Sequence, residues 1–146
     1  MDLDAGIKYM DHVCWAAWRL EDVLPLLTQL LGMKVVEEFN DEERGYSGVT
    51  LLAPGGNVRL EVLVPTAEDS FLARFLRQRG PGLHHITFHV HDIERTAEAI
   101  RAFGIEPWGG IHRRPDGVAE TFIHPRDSGG VLIQFSQFPE ETGAAK

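Results

Sequence analysis

The chain has 146 residues, 43% hydrophobic and 25% charged, with a net charge of −8. That length is enough for one compact domain with a real core and no covalent staples. The acidic balance excludes a phosphate-backbone partner, which needs clustered Lys and Arg. A lone cysteine, Cys14, excludes an intramolecular disulfide and fits a reducing compartment. No apolar run has the length of a membrane span, and Met1 to Tyr9 lacks the charged-then-apolar pattern of a secretion signal. The expectation is a cytoplasmic protein with no nucleic-acid or membrane partner.

Charge is unevenly spread. Glu37, Glu38, Asp41, Glu42 and Glu43 crowd one stretch that reads as a solvated loop, while Arg113, Arg114 and Arg126 lie in the last third.

In chain order, the first strand runs from about Tyr9 to Trp18. A helix then opens near Asp22, with Pro25 in its first turn and Val23, Leu26, Leu27, Leu30 and Leu31 at helical spacing, and Gly32 stops it. Strands follow at Lys34 to Phe39, Tyr46 to Leu52 and Asn57 to Val64, with Gly55-Gly56 turning between the last two. A linking helix covers Thr66 to Arg79, placing Phe71, Leu72, Phe75 and Leu76 inward, and Gly80-Pro81-Gly82 ends it. The pattern then restarts with a strand at Leu83 to Val90. A helix from Ile93 to Phe103 carries Ile93, Ala97, Ile100 and Phe103 on one face. Strands near Ile111, Ala119 to Ile123 and Gly130 to Gln137 complete it, before a polar tail from Pro139 to Lys146.

The restart is a repeat. An offset of 73 residues relates His12 to His85 and Glu61 to Gln134. Val58-x-Leu60-x-Val62 matches Val131-x-Ile133-x-Phe135, and Leu31-Gly32-Met33 matches Phe103-Gly104-Ile105 within one residue. Two copies are too few for a solenoid, so this is a duplicated module. The expected fold is α+β: two βαβββ modules forming a cupped mixed sheet. One domain spans 1–146, with modules at about 8–65 and 83–138 and a linker helix at 66–80.

Alternation along a strand decides which residues share a face. His12, Cys14 and Ala16 face one way. His85, Thr87 and His89 share a face, with His84 on the reverse. Glu61 lies opposite Leu60 and Val62, and Gln134 and Ser136 oppose Ile133 and Phe135. One strand histidine alone is more often structural than functional. Two histidines, a carboxylate and an amide related by one offset instead suit a divalent Co, Ni, Zn, Mn or Fe ion. His12, Glu61, His85 and Gln134 are therefore the expected metal ligands, with two coordination positions left for substrate oxygens.

Asp11-His12-Val13, Leu31-Gly32-Met33, Gly82-Leu83-His84-His85-Ile86, Asp92-Ile93, Ile123-His124-Pro125 and Gly130-Val131-Leu132-Ile133 together resemble the methylmalonyl-CoA epimerases of the vicinal-oxygen-chelate (glyoxalase) superfamily. The resemblance covers roughly residues 9 to 139. It implies paired βαβββ modules around a metal, usually in a homodimer, with His12, Glu61, His85 and Gln134 at the ligand positions. It implies an isomerase or epimerase that forms a metal-stabilised enolate on an acyl-CoA or similar α-acidic carbonyl substrate. Alternatives on the same fold are a glyoxalase I-type lyase, an extradiol-type dioxygenase and a non-catalytic ligand- or drug-sequestering protein.

Two departures stand out. The family carries Gln where this chain has Glu61 and Glu where it has Gln134, and its third-strand Glu has no counterpart in Gly48-Val49-Thr50-Leu51-Leu52. The positions the family uses as bases are thus both non-acidic here. Glu61 is the first candidate base, and Glu120, which the offset relates to Ser47 in the third strand, is a second. His89 is a third, while His124 before Pro125 is expected to shape a loop. Arg113, Arg114 and Arg126 are candidates for contact with a nucleotide phosphate.

Overall fold

A computed structural model describes residues 3–140. Residues 141–146 of the expected polar tail, and Met1 and Asp2, lie outside the described residues. The strands are β1 (Ile7–Ala16), β2 (Lys34–Asp41), β3 (Tyr46–Leu52), β4 (Arg59–Pro65), β5 (Gly82–Val90), β6 (Trp108–Arg113), β7 (Ala119–Ile123) and β8 (Leu132–Gln137). The helices are α1 (Phe71–Arg79), α2 (Ile93–Phe103) and the short α3 (Pro125–Ser128). This mixed α+β arrangement has the element order expected of two βαβββ modules. The chain divides into two compact units: one holds His12–His85, and the other combines residues up to Asp11 with Ile86 onward. The boundaries therefore fall inside β1 and β5.

In the His12–His85 unit the strand order is β2-β3-β4-β1. β1 runs parallel to β4, with Cys14 opposite Glu61. β3 and β4 are antiparallel, with Thr50 opposite Glu61. The expected alternation is obeyed. Trp15, Ala17, Leu60, Val62 and Val64 pack on one side with Val23, Leu27 and Leu51. Cys14, Ala16 and Leu63 pack on the other with Leu72 and Leu76 of α1. Burying Leu72 and Leu76, 0% and 2% exposed, contributes roughly 1.5–3 kcal/mol each. That burial fastens α1 to the face that carries His12 and Glu61. Ser70 caps the helix, its Oγ accepting from Ala73 N at 3.1 Å. Of the four residues expected inward on this helix, Phe71 is 38% exposed.

Gly48 is required where β3 meets β4. A Cβ there would lie 2.3 Å from the Val62 carbonyl oxygen, so the close approach of the two strands depends on the missing side chain.

The first helix departs from expectation. Leu20–Asp22 forms a 3₁₀ turn and Leu26–Leu30 a π turn, with Leu31 N donating to Leu26 O at 3.1 Å. A π turn is wider than an α turn, so the 3.6-residue spacing no longer selects one face. Val23 and Leu27 are buried, whereas Leu26, Leu30 and Leu31 are 45, 74 and 49% exposed. Gly32 ends the segment at φ +70°, as expected.

The acidic stretch is also corrected: Glu37, Glu38 and Asp41 belong to β2 rather than to a loop. β2 ends the strand order of this unit, and charge on a terminal strand discourages pairing with other chains.

In the other unit the strand order is β5-β8-β7-β6. α2 packs Ile93 and Ile100 onto Val90, Ala119 and Phe135. Phe103, expected on that face, is the last helical residue and is 69% exposed; Gly104 then turns the chain at φ +112°. Gly104 N and Ile105 N donate to Arg101 O and Ile100 O, closing the last turn.

Candidate metal centre and acid–base groups

His12 sits on β1, and Glu61 sits on the parallel neighbour β4, opposite Cys14, two residues on from His12. Glu61 Oε1 lies 3.3 Å from His12 Nε2, and the two side chains are 11% and 25% exposed. The imidazole of His85 meets that of His12 edge to face, with ring centroids 5.5 Å apart. Burial holds the His85 ring neutral, its pKa driven well below the usual value, with His84 and His12 adding to the effect. A neutral imidazole has a lone pair to give. His12, Glu61 and His85 are thus brought together.

Alternation assigned His84 to the reverse face. The structure instead brings its Nδ1 to 2.8 Å from His85 Nδ1 and sets its ring against Phe71 and Phe75, with centroids 5.6 and 4.7 Å away. Burial lowers the His84 pKa to about 4. His84 therefore orients His85, since the nitrogen it engages fixes which nitrogen of His85 stays available.

Cys14, His84 and His85 also approach one another, their donor atoms lying within 4.8 Å. They form the poorer donor set. Burial, and then Glu61, raises the Cys14 pKa well above the usual value, and His84 Nδ1 is engaged with His85. His12, Glu61 and His85 supply one carboxylate and two imidazoles, a hard-and-borderline set that fits a divalent transition ion.

In the other unit, Gln134 is held from both ends. Its Oε1 accepts from Thr87 Oγ1 at 2.7 Å, and its Nε2 donates to Glu120 Oε1 at 2.9 Å. One lone pair of Oε1 is left to serve a cation. Glu120 is buried, 7% exposed, and is not a surface strand carboxylate. Its other oxygen accepts from His112 Nδ1 at 3.0 Å, and Arg114 stands 3.8 Å from Oε1. His112 escaped sequence reasoning because its place is set by a register shift between Trp108 and His112. The Gly109-Gly110 pair at that shift was the available signal.

His89 is placed elsewhere in this unit. Its Nδ1 pairs with the Tyr9 hydroxyl at 2.7 Å, and Phe138 meets its ring at a centroid distance of 4.6 Å. Its pKa is lowered by burial and then by Lys8, with Asp11 opposing. His124 shapes a loop as expected, its Nδ1 accepting from Arg126 N to open α3. The three arginines all have carboxylate neighbours: Arg113 pairs with Glu94, Arg114 with Asp116 and Arg126 with Asp127.

The model of the Glyoxalase/Bleomycin resistance protein/Dioxygenase superfamily matches residues 11–122. The mitochondrial methylmalonyl-CoA epimerase of Homo sapiens is 33% identical over 134 residues, covering 88% of this chain and 73% of the relative. Among solved structures, the methylmalonyl-CoA epimerase of Mycobacterium tuberculosis superposes with a TM-score of 0.78 at 28% identity, over 96% of this chain and 94% of that one. A Streptomyces coelicolor methylmalonyl-CoA epimerase in complex with 2-nitronate-propionyl-CoA does so with a TM-score of 0.74 at 29% identity, over 92% and 99%. The chain belongs to the glyoxalase/bleomycin resistance/dioxygenase superfamily and, within it, to the methylmalonyl-CoA epimerase family.

Proposed function

We propose that the chain epimerises the α-carbon of a methylmalonyl-CoA-like thioester at a divalent-metal site made by His12, Glu61, His85 and Gln134. The observation that carries this reading is the meeting of His12 Nε2 and Glu61 Oε1 at 3.3 Å beside a neutral His85. When bound, the ion supplies Lewis acidity that makes the α-proton of a carbonyl compound easier to remove.

The chain's own groups do the rest. His12 and His85 would hold the ion, and Thr87 and Glu120 hold the Gln134 amide, whose oxygen would be a further ligand. Glu61 takes the α-proton on its carboxylate, and the C–H electron pair delocalises into the substrate's carbonyl. Return of a proton to the opposite face completes epimerisation without redox change. Thr50 occupies the β3 position opposite Glu61 and cannot act as a base. A cytoplasmic homodimer is part of the same proposal, and light scattering of the purified protein tests the dimer.

The test is to incubate a single methylmalonyl-CoA epimer with metal-loaded protein and follow loss of optical purity. Conversion that a chelator stops supports the reading. A stoichiometric ion with no conversion redirects it to another carbonyl substrate, and absence of any bound ion favours ligand sequestration.

A further inference from the structure

His84 and His85 adjoin on β5 and still bring their Nδ1 atoms to 2.8 Å, with ring centroids 5.0 Å apart. Phe71 and Phe75 of α1 seat the His84 ring in this pose. Cys14 completes the group from β1. Its side chain is fully buried and in no disulfide. One donor atom from each of Cys14, His84 and His85 lies within 4.8 Å of the other two. Cys14 also packs with Ala16, Leu63, Leu72 and Leu76, as any small apolar residue would. An alanine would serve that packing; the sulfur adds a third donor to the two imidazoles.

Softness separates this set from the one built on His12, Glu61 and His85. A carboxylate with two imidazoles serves the harder transition ions, whereas a thiolate with two imidazoles selects softer ones. A tetrahedral Zn²⁺, with Zn–N of about 2.0–2.1 Å and Zn–S of about 2.3 Å, spaces its ligands roughly 3.3–3.6 Å apart. The pair of Nδ1 atoms has only to open, and the sulfur to close in, by small side-chain rotations. Glu61 lies opposite Cys14 across the β1–β4 pair, so thiolate and carboxylate together balance a divalent charge.

We propose that Cys14, His84 and His85 form a second metal site, selective for thiophilic divalent ions of the zinc and cadmium kind, and that filling it silences the catalytic centre by claiming His85. The inference rests on the reading of His85 as a ligand of the catalytic ion and adds regulation to that centre. A neutral imidazole has one lone pair, so His85 serves one ion at a time. Binding exchanges ligands without redox change. The ion sheds water, the Cys14 S–H proton leaves to solvent, and each imidazole gives its Nδ1 lone pair while keeping its proton on Nε2. One proton is released per ion bound.

Cd²⁺ is the probe, because a thiolate–Cd bond gives an ultraviolet charge-transfer band that carboxylate and imidazole ligands do not. Titrated into the wild type, Cd²⁺ should raise that band to saturation at one ion per chain and release bound Co²⁺ in step. Cys14→Ala should lose the band. His84→Phe should weaken Cd²⁺ by more than the roughly 10–100-fold that loss of an outer-sphere partner costs, while His12→Ala leaves Cd²⁺ affinity within about threefold. No Cd²⁺ bound, Cd²⁺ bound to the wild type without the band, or Co²⁺ and Cd²⁺ held together on one chain overturns the proposal. Equal loss of Cd²⁺ from folded His12→Ala and His84→Phe overturns it too. A wild type that shows the band but is inert on methylmalonyl-CoA overturns the epimerase reading and leaves the second site standing.

Discussion

Glu61 has Cys14 opposite it on β1 and Thr50 opposite it on β3. Its carboxylate contact on this face is the imidazole of His12, 3.3 Å away. In the proposed function this one side chain both holds the cation and accepts the proton, and the two tasks can be separated. Glu61→Gln keeps a ligand oxygen and removes the base. It should retain a bound ion by plasma-emission analysis while α-proton exchange falls by about 10²–10⁴-fold. Loss of the ion with exchange unchanged per remaining ion would contradict the assignment.

His12→Ala and His85→Ala remove imidazole donors outright. Both should weaken Co²⁺ binding, measured by competition with a chromophoric chelator, by more than the roughly 10–100-fold that outer-sphere substitutions cause. His84→Phe preserves the apolar contacts with Phe71 and Phe75 but removes the Nδ1 partner of His85, and should fall within that 10–100-fold range. Equal affinities in all three variants would remove this cluster as the metal centre.

The buried imidazole of His84 makes the metal-free protein acid-sensitive. Its pKa is about 4 when folded and about 6.5 when unfolded, so the unfolded chain binds the extra proton first. Its contribution to stability should fall as pH drops from about 6.5 toward 4 and level off below, where the folded His84 also protonates. Urea melts with a chelator present should show this slope reduced in His84→Phe. A slope of the same size in both proteins would place the effect elsewhere.

Gly48→Ala forces a methyl group against the Val62 carbonyl, 2.3 Å from the ideal Cβ. Backbone cannot yield as a flexible side chain does. The substitution should destabilise by about 1–3 kcal/mol and lower metal affinity by disturbing β4 beside Glu61. An unchanged thermal midpoint would show that β3 relaxes freely.

Most of the architecture was legible because its signals are local. The offset of 73, strand alternation and glycine stops at Gly32 and Gly104 gave the element order and the pairing of His12, Glu61 and His85. What escaped reading depends on features that spacing does not carry. The π turn at Leu26–Leu30 breaks the 3.6-residue rule and leaves three leucines exposed. His84 reaches His85 although neighbours on a strand point apart, because Phe71 and Phe75 of α1 seat its ring. His112 meets Glu120 through a two-glycine bulge whose register no period reveals. Glu120 was legible as a residue but not as a buried one.

The most direct measurement is solvent deuterium uptake at the α-carbon of methylmalonyl-CoA, followed by proton NMR with the metal-loaded protein. Uptake that a chelator abolishes and added Co²⁺ restores is the expected result. No uptake above the uncatalysed rate, from a protein carrying a full complement of ion, would contradict the account.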